Sequence, residues 1–133
     1  MKDWNMRWSD SFAIGVERID HQHQYFVNMF NIIRDKIEAG CGTETLRHAI
    51  QEMYYYVFFH FYSEENLMRE SGYRGMADQQ RSHKGFLDEF TRRISSWDGN
   101  PASLQPLLEY LFRWFINHIA DDDVAIGAHL KRS

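Results

Sequence analysis

Hydrophobic residues recur along the chain at helical spacing, three and four residues apart, rather than in the alternation typical of strands. Short segments containing Gly, Asn, Asp or Ser separate the apolar stripes. The pattern predicts four helices, at about residues 20–39, 43–70, 76–96 and 103–120. Because short connections make neighbouring helices antiparallel, we predict an all-α, up-down-up-down four-helix bundle.

Two further segments flank the predicted bundle. An N-terminal arm, residues 1–18, contains aromatic side chains that we expect to pack against the helices. A short C-terminal segment, residues 121–133, has room for one or two more helical turns. A chain of 133 residues is long enough for one core, so we expect a single domain over residues 1–133.

The apolar stripe of the second predicted helix contains two ionisable residues. His60 and Glu64 lie four residues apart, on the same helical face as Leu46, Met53 and Val57. A buried ionisable group is costly unless it is paired, hydrogen-bonded or bound to a metal. Taken alone, these two residues favour a mutually satisfied core pair over a metal site.

Polar residues also interrupt the other three stripes, and antiparallel packing brings them all to one end of the bundle. Asp123 follows His118 by five residues, where we expect the helix to loosen and turn a carboxylate inward. Buried polar groups this dense normally serve a site, so the combined pattern favours a metal centre. The predicted ligands are His23, His60, Glu64, Gln79, His83, His118 and Asp123. The other histidines, His21, His48 and His129, are predicted to lie elsewhere.

The donor types restrict the metal. Imidazoles and carboxylates together suit Fe, Mn, Zn or Cu. Seven predicted donors exceed the four that a structural zinc takes, whereas two metals bridged by Glu64 and Asp123 would use the whole set. Ferritin-like di-iron enzymes carry Glu-x-x-His motifs, and this sequence contains none. The absence of this motif counts against an oxygenase or a ferroxidase.

Composition excludes several other classes of partner. A net charge of −4 without a basic stripe argues against nucleic acid. No apolar run approaches the roughly 20 residues of a membrane span. The single cysteine, Cys41, cannot form an intrachain disulfide, and no secretory signal is visible, so we expect a cytoplasmic protein. One core uses the four stripes, so we expect a monomer.

Four segments together resemble the bacterial hemerythrins over nearly the whole chain. The His-x-x-x-Glu at His60 and the His-x-x-x-x-Asp at His118 are similar to the family's motifs, as is the Gln-His pair that ends at His23. The segments are Trp8 and Gly15 with residues 19–23, residues 59–68, residues 72–73 with 83–86, and residues 114–123.

The resemblance implies a non-haem di-iron protein that binds dioxygen for storage, delivery or sensing. It would contain two iron ions, bridged by carboxylates and by an oxo or hydroxo group. His23 and His60 would hold one iron, which would have an open position for dioxygen. His83 and His118 would hold the other iron, and Glu64 and Asp123 would bridge. The family's dioxygen-pocket positions correspond here to Phe26, Phe61, Trp114 and Ile119, which are equally compatible with ordinary core.

One departure from the family pattern is specific to this chain. The family's third helix carries His-x-x-x-His, and here Gln79 stands in the first position before His83. An amide oxygen is a weaker ligand than an imidazole. The alternative function is therefore a di-iron protein that reacts with peroxide or nitric oxide at the weakened position. A third is a structural or signalling bundle with little iron. We expect a binding protein rather than an enzyme, with an unidentified reductase or signalling partner.

Overall fold

A computed structural model describes residues 13–132, and every regular element in that range is helical. The structure confirms the predicted all-α four-helix bundle. The elements are α1 (Glu17–Glu38), α2 (Thr43–Ser71), α3 (Met76–Ser96), a 3₁₀ turn (Pro101–Ser103), α4 (Leu104–His118), a π turn (Ile119–Asp123) and α5 (Val124–Arg132). No helix within these residues is long and apolar enough to cross a membrane.

The N-terminal boundary of α1 differs from the prediction, which placed it at about residue 20. The helix begins at Glu17, and the preceding residues are bonded to its first turn through Asp20. The Asp20 carboxylate accepts backbone N–H groups from Ile14 at 2.7 Å and Gly15 at 3.1 Å. Gly15 has a φ of 83°, a left-handed conformation that favours glycine. The aromatic residues predicted for the arm, Trp4, Trp8 and Phe12, lie outside the described residues.

The C-terminal end differs more. The sequence analysis ended the fourth helix at about residue 120 and left room for one or two helical turns in residues 121–133, and the structure continues as helix through the π turn into α5, which ends at Arg132. The Val124 N–H donates to the Ile119 carbonyl, five residues earlier, which is the hydrogen bond of a π turn. Residues five apart in an α-helix point in different directions, whereas one π turn returns them to the same side. His118 and Asp123 therefore face the bundle interior together.

The core divides into an apolar part and a polar part. At the end distant from the predicted ligands, Leu46, Ile50, Phe90, Leu104 and Leu108 are buried and contribute only hydrocarbon. At the other end the same helices bury polar side chains. The buried polar residues are Gln22, His23, His60, Ser63, Glu64, Gln79, His83, His118 and Asp123.

Candidate metal centre

Glu64 lies at the middle of the polar end, fully buried on α2. Three imidazoles approach one of its oxygens, Oε1, through their Nε2 atoms. The distances are 3.2 Å from His118, 3.4 Å from His83 and 3.5 Å from His60. These rings come from α4, α3 and α2, so a single carboxylate oxygen is shared by three helices.

Asp123, delivered by the π turn, is also fully buried. Its Oδ2 lies 2.6 Å from His23 Nε2, and its Oδ1 lies 2.8 Å from His118 Nε2. The carboxylate therefore spans a histidine of α1 and a histidine of α4.

These contacts form two overlapping clusters of potential metal ligands. In the first, donor atoms of His23, His60, Glu64 and Asp123 lie within 4.8 Å of one another. In the second, donor atoms of Glu64, His83 and His118 meet the same limit. Glu64 belongs to both, as expected of a bridging carboxylate. The structure thus brings six of the seven predicted ligands together.

Each of three histidines is held by a hydrogen bond at the ring nitrogen that faces away from the carboxylates. His60 Nδ1 donates to the Gln22 amide oxygen at 2.7 Å. The Gln22 amide nitrogen in turn donates to Ser63 at 3.0 Å, and its backbone carbonyl accepts from the Tyr56 hydroxyl at 2.9 Å. This network fixes both the ring orientation and the tautomer of His60.

Carboxylates provide the same contact for the second cluster. Glu65 accepts from His83 Nδ1 at 2.8 Å, and Asp122 accepts from His118 Nδ1 at 3.1 Å. Because Nδ1 carries the proton in each ring, the Nε2 lone pair is turned toward the buried oxygens. The sequence analysis did not assign a role to Gln22, Glu65 or Asp122. The available signal was position, since each is adjacent in sequence to a predicted ligand.

The buried charges shift the pKa values of the two carboxylates in opposite directions. Burial, reinforced by the negative charge of Asp123, raises the pKa of Glu64. Burial opposes ionisation of Asp123 as well, but His118 and hydrogen bonds from its neighbours hold its pKa well below the usual range. Divergent shifts of this kind are typical of functional sites.

The histidines respond to the same environment. Burial and the nearby His23 lower the pKa of His60 well below its ordinary value, which favours the neutral ring. Burial acts in the same sense on His118, but Asp123 and Glu64 outweigh it and raise the pKa of that ring. A neutral imidazole is the form that binds a metal.

The residues fit a bound cation. When the rings are neutral, their Nε2 lone pairs face carboxylate oxygens, so acceptors lie against acceptors and the arrangement needs positive charge between them. The raised pKa of His118 reflects the same need, since a second proton on that ring supplies such a charge. Glu64 Oε2 and His83 Nε2 are buried and have no hydrogen-bond partner among the described residues. Such atoms are costly unless something binds them. The polar end of the bundle is therefore suited to a metal site.

Gln79, the departure from the family pattern, borders the second cluster. Its side chain is 9% exposed, and its amide lies close enough to Asp122 to help lower the pKa of that carboxyl. The hydrogen bond from His118 is the main cause of the lowered pKa of Asp122, and Gln79 acts in the same direction. The Gln79 Oε1 atom is buried and meets no hydrogen-bond donor in the described part of the chain. A second orphaned oxygen thus belongs to this half of the site.

Aromatic rings surround the clusters unequally. Phe61 stacks on His83 with ring centroids 3.9 Å apart, and Trp114 stacks on His118 at 4.5 Å. Phe115 meets the edge of His23 at 5.6 Å and stacks on Phe26 at 4.6 Å.

Two of the four predicted pocket residues, Phe61 and Trp114, therefore contact histidines of the second cluster directly. Phe26 reaches the first cluster through Phe115, whose place beside His23 the sequence analysis did not identify. Ile119 is buried at the start of the π turn.

The remaining histidines lie apart from both clusters. His21 is exposed on α1, and His48 is exposed on α2 within 3.7 Å of Glu44. His129 is half-buried, and its Nε2 donates to the Ser71 carbonyl at 3.0 Å.

Comparison with known families agrees with this geometry. The family described as "Hemerythrin HHE cation binding domain" matches residues 14–128, a range that includes all seven predicted ligands. The chain belongs to the hemerythrin family.

Individual hemerythrins support the assignment. The bacteriohemerythrin of Pseudomonas paraeruginosa is 32% identical, over 95% of this chain and 82% of that protein. Hemerythrin subunit 2 of Golfingia vulgaris is 27% identical, over 87% of this chain and 85% of its own length. A crystal structure of wild-type hemerythrin shares the fold, with a TM-score of 0.82 and 24% identity, covering 94% of this chain and 97% of that one.

Proposed function

We propose that this hemerythrin binds two non-haem iron ions and, through them, dioxygen, for storage, delivery or sensing. The observation that carries the proposal is the convergence of four buried imidazoles on two buried carboxylates. Nitrogen and carboxylate donors suit iron, and membership of the hemerythrin family favours it over the other metals these donors accept. When bound, the iron pair would supply the electrons for reversible dioxygen binding.

The assignment of ligands follows the two clusters. His23 and His60 would hold the first iron, and His83 and His118 the second. Glu64 belongs to both clusters, and Asp123 contacts histidines of both, so these carboxylates would be shared.

The protein's own side chains would keep the site in its binding form. Gln22, Glu65 and Asp122 hold three imidazoles with Nε2 pointing inward. Phe61, Trp114 and Phe115 cover the rings with apolar surface. A dry surrounding strengthens electrostatic contacts and keeps water and protons from the ligand.

Gln79 is the seventh donor in this proposal. Its amide lies near Asp122, and its buried Oε1, which meets no hydrogen-bond donor among the described residues, is the atom able to ligate the second iron. The peroxide- or nitric-oxide-reactive alternative depends on a coordination position left open at this residue. A buried, unpartnered oxygen offers a donor for that position instead, so the geometry favours ligand binding as the function.

The test is metal analysis combined with spectroscopy of chain purified without added iron. We expect about two irons per chain, a ratio set by the two clusters, and a reversible absorption change when the reduced protein meets dioxygen. His60→Ala removes a ligand and should abolish the absorption change, whereas His48→Ala, at the exposed histidine of the same helix, should preserve it. Protein that contains zinc, or iron without any response to dioxygen, would contradict the proposal.

A further inference from the structure

The outer side of α2 carries a second row of large side chains, opposite the stripe that faces the core. Tyr55, Phe59 and Tyr62 are exposed to 65%, 57% and 58%, and the adjacent Phe58 to 50%. The buried side of the same turns carries Met53, Val57 and the metal-site residues. No element among the described residues covers the outer row.

The spacing of this row matches a helix-pairing surface. We call the outer row the residues Glu52, Tyr55, Phe59, Tyr62, Asn66 and Arg69, which follow one another in alternating steps of three and four. That alternation keeps side chains on one narrow face and is the spacing of a coiled-coil seam. The outer row therefore presents aromatic side chains in a pattern suited to a second helix.

We propose that a second copy of this chain covers the outer row, with the two α2 helices antiparallel around a two-fold axis. A two-fold contact uses the same surface on both copies, so the surface must complement itself. With the axis between residues 60 and 61, Phe59 of one copy faces Tyr62 of the other. The same axis places Tyr55 opposite Asn66.

Charge complementarity supports this register. Glu52 begins the outer row and Arg69 ends it, both are exposed, and neither forms an ion pair within the described residues. The proposed axis sets Glu52 of each copy opposite Arg69 of the other, which gives two symmetric pairs at the rim. A parallel arrangement would instead place like charges together, which disfavours it.

The exposed area is close to what a dimer needs. Tyr25 of α1 flanks the outer row, is exposed to 47%, and packs on Tyr56 of α2 at 4.6 Å. With the four α2 aromatics, about half of each side chain gives roughly 500 Å² of exposed surface, taking about 200 Å² per side chain. A standard interface uses about 800 Å² per partner, and the charged rim supplies the remainder.

A second copy fits this surface better than the chain's own N-terminal residues. Ile14 lies against α5, where a Cβ on Gly127 would come within 2.9 Å of the Ile14 carbonyl. The described chain therefore begins beside α5 rather than beside the outer row. The expectation of a monomer assumed that one core uses all the apolar stripes, and the exposed aromatics of α2 are not part of that core.

The first test is sedimentation equilibrium of the full chain over a wide concentration range. We expect a reversible dimer for the natural sequence. Phe59→Lys should weaken it about a hundredfold, because a charge replaces a central aromatic contact. Thr91→Lys, which adds the same charge at an exposed site on α3, is the matched control and should dimerise normally. Circular dichroism should show unchanged helix content in both variants.

The second test addresses the register. Glu52→Arg and Arg69→Glu should each weaken the dimer about tenfold, since each creates like-charge pairs, and the double variant should restore it. A natural chain that stays monomeric at every concentration would overturn the proposal, and would indicate that residues 1–12 or a different protein cover the outer row. A dimer that tolerates Phe59→Lys, or a double variant without restoration, would overturn the proposed interface.

Discussion

The two ligand clusters, which form the two halves of the metal site, use the same types of donor but differ in number and in one ligand type. The first cluster offers four close donors, from His23, His60, Glu64 and Asp123. The second offers three, from Glu64, His83 and His118, with the Gln79 oxygen beside them. Each half has two imidazoles, but only the first has both carboxylates close to all its other donors, and the second relies on an amide oxygen, so the second half should bind its metal more weakly.

The hydrogen bonds that hold the histidines favour the second half instead. A neutral amide, Gln22, holds His60 of the first cluster, whereas carboxylates, Glu65 and Asp122, hold His83 and His118 of the second. A carboxylate partner makes an imidazole a more basic ligand than an amide does. The comparison therefore teaches that charged supports partly offset the missing histidine at Gln79.

The largest effect should come from removing the carboxylate that both halves share. Glu64→Ala should lose both irons and lower the free energy of unfolding by about 3 kcal/mol, because the buried imidazoles of three helices lose the carboxylate oxygen that they share. Glu70→Ala, at an exposed position of the same helix, is the control. Full iron content with unchanged thermal melting in Glu64→Ala would show that Glu64 does not bridge.

Replacing Gln79 with the histidine of the family pattern should strengthen the second half. Gln79→His should raise affinity for the second iron by about tenfold or more, because imidazole is a stronger donor than an amide oxygen. It should also reduce azide binding at that iron. Calorimetric iron titration with Ser82→His as control, an exposed α3 position, measures the difference. Unchanged stoichiometry and unchanged azide binding would mean that Gln79 does not reach the metal.

Removing the negative charge that supports His83 should weaken only the second half. Glu65→Gln keeps the shape and an acceptor oxygen but not the charge, so we expect the second iron to bind about tenfold more weakly. The first iron should bind as before. Equal loss at both irons would contradict the division into two halves.

The smallest loss of iron affinity is expected on replacing Gln22, the neutral hydrogen-bond partner of His60 in the first half. Gln22→Ala frees His60 Nδ1 and removes a partner of Ser63, yet it changes no charge. Affinity for the first iron should fall by less than in the Glu65 variant, within about tenfold. A larger loss than Glu65→Gln causes would show that ring orientation outweighs ligand basicity at this site.

Helical spacing was enough to predict the ligands and the fold, because a polar residue within an apolar stripe can be recognised from the sequence alone. His60 and Glu64 share a face of any helix, whatever surrounds it. The hydrogen-bond partners of the histidines were harder to predict. Gln22, Glu65 and Asp122 lie at the edges of the apolar stripes, and each acts on the site only by accepting a hydrogen bond from a histidine ring. The five-residue spacing of His118 and Asp123 indicated that the helix loosens there, but no helix-breaking residue lies between them to identify the loosening as a π turn.

The outer row was missed for a different reason. Residues 53–62 of α2 are almost entirely apolar or aromatic, so no polar side marks which residues face solvent. Burial in three dimensions separates Met53, Val57 and Phe61 from Tyr55 and Phe59. Spacing from His60 identifies the core face of such a helix, but only the positions of its neighbours show that the opposite face is left uncovered.

The central claim is that this chain binds two irons at unequal sites, and stepwise titration of metal-free protein with ferrous iron under exclusion of oxygen tests it most directly. We predict two binding events per chain, a tight one at His23 and His60 and a weaker one at His83 and His118. In Gln79→His protein the two affinities should converge. A single event, or two events of equal affinity in the natural chain, would contradict the account.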